Sequence, residues 1–191
     1  MKVVAFNGSA RKNGNTAILV ETVFQELKKE GINCEIVHLA GKKIRGCIAC
    51  NHCLTHKDKK CSISEDIVNE CIDKMIDADA IILASPTYFS NVTSEMKALI
   101  DRAGRVARGN NYLFKGKVGA SIVAVKRTGA IHAFNSMNHF FLIEQMVVVG
   151  STSWNIGIGG EIGDINKDTI GLETMKNLGK NMVWLLKKIH Q

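Results

Sequence analysis

The stretch Lys2-Val3-Val4-Ala5-Phe6-Asn7-Gly8-Ser9-Ala10-Arg11-Lys12-Asn13-Gly14-Asn15-Thr16 decides how the rest of the chain is read. Its apolar opening, Lys2 to Phe6, stops at Asn7-Gly8-Ser9, too short for the apolar region of a signal peptide, and reads as a buried strand. Beyond the loop a helix is expected from about Thr16 to Glu30, with Leu19, Val23 and Leu27 on one stripe and Gly31 as its stop. The small residues between strand and helix let backbone N–H groups approach an anion. Ser9, Asn15 and Thr16 add donors, Arg11 adds charge, and the helix N-terminus adds its dipole. The loop is neither G-x-G-x-x-G nor G-x-x-x-x-G-K-[ST], so a monophosphate suits it better than a dinucleotide or a P-loop nucleotide. An ordinary glycine-rich turn is the competing reading.

Outward from this unit, apolar runs alternate with helix-period segments, the pattern of a parallel sheet covered on both faces. Ile32 to Leu39 is expected as the second strand, and a long loop, residues 40 to 63, follows it. Ser62 with Glu65 reads as a capping box opening a helix through Ile67, Val68, Cys71, Ile72, Met75 and Ile76. Ala78 to Ala84 is the third strand, and Ser85-Pro86-Thr87-Tyr88-Phe89-Ser90-Asn91 breaks out of it before a helix with Met96, Leu99, Ile100 and Ala103 inward. Lys117 to Val125 is the fourth strand, Ile131 to Gln145 a helix, and Met146 to Val149 the fifth strand. A last helix buries Met175, Leu178, Met182, Leu185 and Ile189. Five strands and about five helices without a linker make one doubly wound α/β domain over residues 1–191. Ligands in such sheets bind beyond the carboxyl ends of the strands.

Composition narrows the function. The net charge of +7 is spread along the chain, aromatics are 6%, and no basic helix with interleaved aromatics occurs, which argues against nucleic acid and for anionic small ligands. No segment has the eighteen apolar residues of a membrane span, so no membrane partner is expected. Without an export signal the expected location is cytoplasmic, where a tight cysteine group suits metal or redox chemistry better than a disulfide framework.

Four of the six cysteines lie in Cys47-Ile48-Ala49-Cys50-Asn51-His52-Cys53 and Cys61, a C-x2-C-x2-C-x7-C spacing in the long loop after the second strand. Residues 41–60 carry a net charge of +5 around them. The run lacks the two separated C-x2-C knuckles of a structural zinc site and is closer to the start of a [4Fe–4S] run, without its final C-P. Zinc, a cluster and free thiols all remain open on spacing alone. Cys34 and Cys71 fall at core positions and read as small buried hydrophobes, and structural roles suit His132 and His139.

The residues Asn7-Gly8-Ser9, Arg11 and Gly14-Asn15-Thr16, with Ala84 to Thr93 and Met96-Lys97-Ala98-Leu99-Ile100-Asp101-Arg102, resemble the NADPH-dependent FMN reductase branch of the flavodoxin-like flavoproteins. With the cysteine motif between them, the chain is similar to iron–sulfur flavoproteins over nearly its whole length. The resemblance implies a three-layer, flavodoxin-like, five-stranded parallel sheet of order 2-1-3-4-5. It implies FMN phosphate on Ser9, Arg11, Asn15 and Thr16, and the isoalloxazine ring on Pro86, Thr87, Tyr88, Phe89 and Asn91. Pro86, the only proline, would stiffen that loop. The third flavin loop maps onto Lys126, Arg127, Thr128 and Gly129, where a cation or backbone donor would stabilise reduced flavin. A [4Fe–4S] cluster maps onto Cys47, Cys50, Cys53 and Cys61, on the same sheet edge as the flavin loops. Trp154, beside Asn155, would border the flavin or a subunit interface. The implied activity is electron transfer between cluster and FMN, from an NAD(P)H or ferredoxin-type donor, in a homodimer or homotetramer. A cluster-free NAD(P)H-dependent FMN or quinone reductase is the alternative, and a zinc-stapled binding module is the alternative of another class.

Overall fold

A computed structural model of the chain describes residues 1–190. Its elements run β1 (Lys2–Asn7), α1 (Asn15–Lys29), β2 (Asn33–His38), α2 (His52–Thr55), α3 (Val68–Asp77), β3 (Ala80–Pro86) and α4 (Ser94–Gly109). They continue with β4 (Val118–Val125), α5 (Ala130–Ile143), β5 (Val147–Val148), β6 (Ile156–Ile158), a 3-10 turn at Asp164–Lys167, and α6 (Thr169–Ile189). All strand pairs are parallel and the order is β2-β1-β3-β4-β5, the flavodoxin-like doubly wound topology expected above. No helix among the described residues is long and apolar enough to cross a membrane.

The two-residue period of a strand sorts β1 between two cores. Val4 and Phe6 join Ile81, Leu83 and the apolar sides of α3, α4 and α5. Val3 and Ala5 join Ile82, Ala84 and Ile122 under α1 and α6. Every residue of β4, and all of β3 up to Pro86, is buried, which is why these strands read as continuous apolar runs rather than alternating ones.

Four local expectations are corrected. The fifth strand is only Val147–Val148, paired to Val118 and Gly119. Gly150-Ser151-Thr152-Ser153 has no apolar side chain to bury, so the chain leaves the sheet and returns as β6 alongside Val123–Val125. The last sheet position is thus shared by two short segments. The capping box does not form: α3 begins at Val68, and Asp66 Oδ1 accepts from Val68 N at 3.1 Å in place of Ser62. In α6 the step after Met182 falls on the buried Leu186, with Leu185 partly covered and Ile189 exposed, as a 3.6-residue period requires. Finally, the loop between β2 and α3 holds its own short helix, α2.

Candidate functional site

Four strand ends, those of β1, β3, β4 and β6, deliver loops to one cavity of about 190 Å³ at the carboxyl edge of the sheet. The β1 loop contributes Ser9, Arg11, Asn15 and Thr16. Ser9 Oγ accepts from Arg11 N at 3.1 Å, shaping the turn. The N-cap of α1 is Gly14, so no side chain accepts from the first turn; Ala17 N and Ile18 N donate to Gly14 O, and the N–H groups of Asn15 and Thr16 are left for a ligand at the helix N-terminus. Asn15 departs from its expected role as a free donor. Its amide donates to Gly159 O at 3.1 Å and to Glu161 O at 2.9 Å, and accepts from Gly163 N at 2.9 Å, so the side chain is committed to holding the opposite wall.

The β3 loop brings Pro86, Thr87 and Tyr88 to the cavity, but not Phe89 or Asn91. Tyr88 N donates to Asn91 O and Asn91 N to Tyr88 O, closing a tight turn around Phe89 and Ser90, whose φ angles are 46° and 61°. Positive φ at both central positions defines a type I′ turn, costly for residues other than glycine. The turn leaves Phe89 fully exposed and Tyr88 half-exposed, so neither aromatic packs into the core. Asn91 Oδ1 accepts from Val92 N and from Ser136 Oγ instead of facing the cavity. Thr87 Oγ1, by contrast, is buried at the cavity with no partner, an orphan polar atom that a ligand would satisfy.

Of the β4 loop only Lys126 reaches the cavity; Arg127, Thr128 and Gly129 lie outside it. Gly129 caps α5 at φ 83°, and a Cβ there would come within 2.5 Å of Ser90 Oγ, so it serves the close approach of the two loops. Lys126 Nζ is 3.8 Å from Glu161 across the exposed mouth. Sequence reasoning missed Ala124, Gly159 and Gly160, which also line the cavity. A Cβ on Gly159 would lie 2.8 Å from Ile165 N and 2.9 Å from Asn15 Nδ2. The signal was present in Ile156-Gly157-Ile158-Gly159-Gly160, an apolar alternation ending in a glycine pair.

Cys47, Cys50, Cys53 and Cys61 line a second cavity together with Ser62, Arg102 and Arg105. Cys53 and Cys61 form its fixed side. Asn110, the C-cap of α4, donates to Cys53 O at 3.3 Å and accepts from Lys59 N at 3.0 Å, holding both sides of the long gap between these cysteines. Asn69 of α3 accepts from Cys61 N at 2.8 Å and donates to Cys61 O at 2.9 Å. Arg102 Nε donates to Cys61 Sγ at 3.3 Å. Cys47 and Cys50 are exposed, on a segment without regular secondary structure. The Ser62 hydroxyl beside Cys50 lowers its thiol pKa, whereas burial raises that of Cys53. Cys71 and Cys34 lie outside the group, and burial pushes their thiols up to about 12 and about 11; Cys71 sits in the core as expected, whereas Cys34, on the edge strand β2, is only partly buried.

The donor set is of the soft-thiolate kind that zinc and iron–sulfur centres both take. A tetrahedral zinc with Zn–S of about 2.3 Å brings its thiolates to about 3.8 Å from one another. Among the described residues no three His, Cys, Asp or Glu are placed to hold a single metal ion. Four soft thiols around a common cavity, flanked by two guanidinium groups, offer the ligands and the positive field that an anionic iron–sulfur core needs.

The position of this cavity corrects the expectation of a shared sheet edge. The loop leaves β2 at that edge but turns back along α4. The first turn of α4 packs near Gly8 and Ser85 at the carboxyl edge of the sheet, and the cysteine cavity touches Arg102, Arg105 and Val106. At 1.5 Å per residue, these lie about 12 to 18 Å further along the helix than Ser94.

A family model described as NADPH-dependent FMN reductase matches residues 1–161. An iron–sulfur flavoprotein of Methanocaldococcus jannaschii is 38% identical over 196 residues, covering 99% of each chain. Another, from Archaeoglobus fulgidus, is 37% identical, covering 96% of this chain and 94% of its own. Among solved structures, a flavodoxin from the domain Archaea superposes with a TM-score of 0.64 at 17% identity, over 98% of this chain and 99% of that one.

Proposed function

The chain belongs to the NADPH-dependent FMN reductase family of flavin-dependent oxidoreductases, and we propose that it is an iron–sulfur flavoprotein whose one α/β domain carries both FMN and a [4Fe–4S] cluster. The observation that carries this reading is the gathering of four cysteines and two arginines on one cavity, in a chain that also builds the flavin-side cavity. Bound at these sites, FMN would supply one- or two-electron chemistry and the cluster one-electron transfer.

The protein's own part is binding and tuning. The α1 N-terminus, Ser9, Thr16 and Arg11 neutralise the phosphate dianion. Pro86 and Thr87, on a rigid strand end, hold one side of the ring, with Tyr88 against it, and the Thr87 hydroxyl acquires its missing partner there. Lys126 places a cation where negative charge builds on reduction. Asn15 holds the Gly159–Gly163 wall, so the cavity is set before the ligand arrives. On the cysteine side, Asn110, Asn69 and Arg102 fix Cys53 and Cys61 as two anchored ligands. The exposed Cys47–Cys50 segment closes over the other side.

The cluster cavity lies well along α4 from the flavin of its own chain, and electron transfer falls steeply with distance. The flavin-side rim is edged by the exposed Phe89 and Tyr88. We therefore favour a homodimer or homotetramer in which the cysteine loop of one subunit stands nearer the flavin of another, working in the cytoplasm with an NAD(P)H or ferredoxin-type donor. A second reading, a cluster-free NAD(P)H-dependent FMN reductase, draws on the family match itself. Comparing donor oxidation by FMN-loaded protein before and after anaerobic iron–sulfide reconstitution separates them. The proposed function predicts a reconstitution-dependent rate with a ferredoxin-type donor that Cys53→Ser abolishes. An NADPH rate independent of iron and of Cys53 would favour the second reading.

A further inference from the structure

Arg102 is the largest fully buried side chain among the described residues, 1% exposed, and its surroundings go beyond its buried ion pair with Asp66. The guanidinium lies between α4 and the cysteine loop, and all its polar contacts fall on that loop. Nη1 donates to Asp66 Oδ2, whose side chain is also buried, and to Arg45 O at 3.0 Å. Nη2 donates to Ile63 O at 2.8 Å, and Nε donates to Cys61 Sγ at 3.3 Å. One planar fork therefore ties down the segment before Cys47 and the segment after Cys61, and its Nε–H rests on the Cys61 sulfur.

We propose that Arg102 is the positioning residue of the cysteine site. It delivers Cys61 across the seven-residue gap, and through its hydrogen bond to that sulfur it sets how tightly a cluster is held and at what potential it is reduced. The inference rests on the cluster reading above. A buried donor on a ligand sulfur stabilises negative charge there, and more so as an electron is added. The midpoint potential is therefore higher with the bond than without it. Asp66 balances the charge of Arg102, so the local effect comes from the N–H dipole at the sulfur rather than from an unpaired cation.

The test compares wild type, Arg102→Lys and the pair-removing double variant Asp66→Asn with Arg102→Gln, each reconstituted anaerobically with iron and sulfide. Arg102→Lys keeps the charge, and the double variant avoids stranding a buried carboxylate. FMN content serves as the folding control because neither residue lines the flavin-side cavity. We expect both variants to bind FMN like wild type, to lose iron to a chelator about 10- to 100-fold faster, and to show a cluster midpoint shifted to more negative potential. Unchanged iron retention and midpoint in an FMN-loaded variant would overturn the assignment. Loss of FMN together with iron in both variants would overturn it too, by making Arg102 a general structural residue. Wild-type protein that binds FMN but takes up no iron would remove the cluster reading itself, a result distinct from either.

Discussion

Around the strand-end cavity, backbone does most of the holding: four parallel strand ends, a helix N-terminus, and a wall pinned by the Asn15 side chain, which donates two hydrogen bonds to it and accepts one. Around the cysteines no strand contributes, and the holding is done by side chains, Asn69, Asn110, Arg102 and Arg105, reaching into an irregular loop. The first cavity has about 190 Å³, whereas the second has about 20 Å³. The latter is room for little more than one water. The first cavity is open to a ligand as it stands, and the second is narrow, with Cys53 and Cys61 held by side chains and Cys47 and Cys50 exposed. A rigid pocket suits a planar ligand that is taken up whole. A site with two anchored and two free thiols suits a core assembled from iron and sulfide.

If the two regions are separable, substitutions should break one without the other. The largest effect is expected from a pair of glycines. A Cβ on Gly109 would fall 2.6 Å from Cys53 O and 2.9 Å from Leu54 Cδ2, so Gly109→Ala must displace α2 at a cost of about 1–3 kcal/mol. Reconstituted iron should drop severalfold with FMN content unchanged. Gly159→Ala, whose Cβ meets Ile165 N and Asn15 Nδ2, should do the reverse, weakening FMN about tenfold or more while leaving iron content alone. Parallel losses of both cofactors in either variant would show that the regions are coupled.

Arg11→Ala should act in the same range, but on the phosphate alone. Removing one charge-assisted contact of about 1.5–3 kcal/mol should weaken FMN about 10- to 100-fold and leave riboflavin, which lacks the phosphate, nearly unaffected in a fluorescence titration. Equal losses for both ligands would move the phosphate elsewhere. A smaller, qualitative contrast is expected from thiol labelling of iron-free protein at pH 8. The exposed Cys47 and Cys50 should react, whereas the buried Cys71, pushed up to about 12, should not. Reconstitution should protect the first pair.

The smallest effect on either cofactor is expected from Glu144, a fully buried carboxylate without a hydrogen-bond partner at the end of α5, which burial pushes up to about 7. A carboxyl whose folded pKa lies above its unfolded value binds more protons when folded, so stability falls as pH rises from about 4.5 through 7 and levels off beyond. At about 1.4 kcal/mol per pKa unit the full loss is on the order of 3 kcal/mol. Glu144→Gln should match wild type near pH 5 and exceed it in thermal stability at pH 8. A difference independent of pH would contradict the assignment.

What could be read from the residues follows the same division. The strands and most helices were legible because β1, β3 and β4 are long, fully apolar or strongly periodic, whereas the sheet order was implied by the family resemblance. The Ser9–Thr16 and Pro86–Tyr88 loops were legible because they sit next to those strands. The split last position was not, since two- and three-residue strands leave little periodicity, and Gly159 and Gly160 were missed with it. Asn15 was named but misread, because its partners at Gly159, Glu161 and Gly163 are some 145 positions away in sequence. The four cysteines stood out by spacing, yet their location along α4 did not. It depends on Asn110 and Arg102, which carry no local signal of a role in the loop.

Two cofactors on one chain require the cysteine loop to hold iron while the same protein holds FMN. Anaerobic reconstitution followed by iron, sulfide and flavin analysis on one sample measures that directly. About four iron and four sulfide per FMN are predicted for wild type, with Cys53→Ser retaining FMN and losing the iron. Full FMN occupancy with no stoichiometric iron, or iron content indifferent to Cys53, would contradict it.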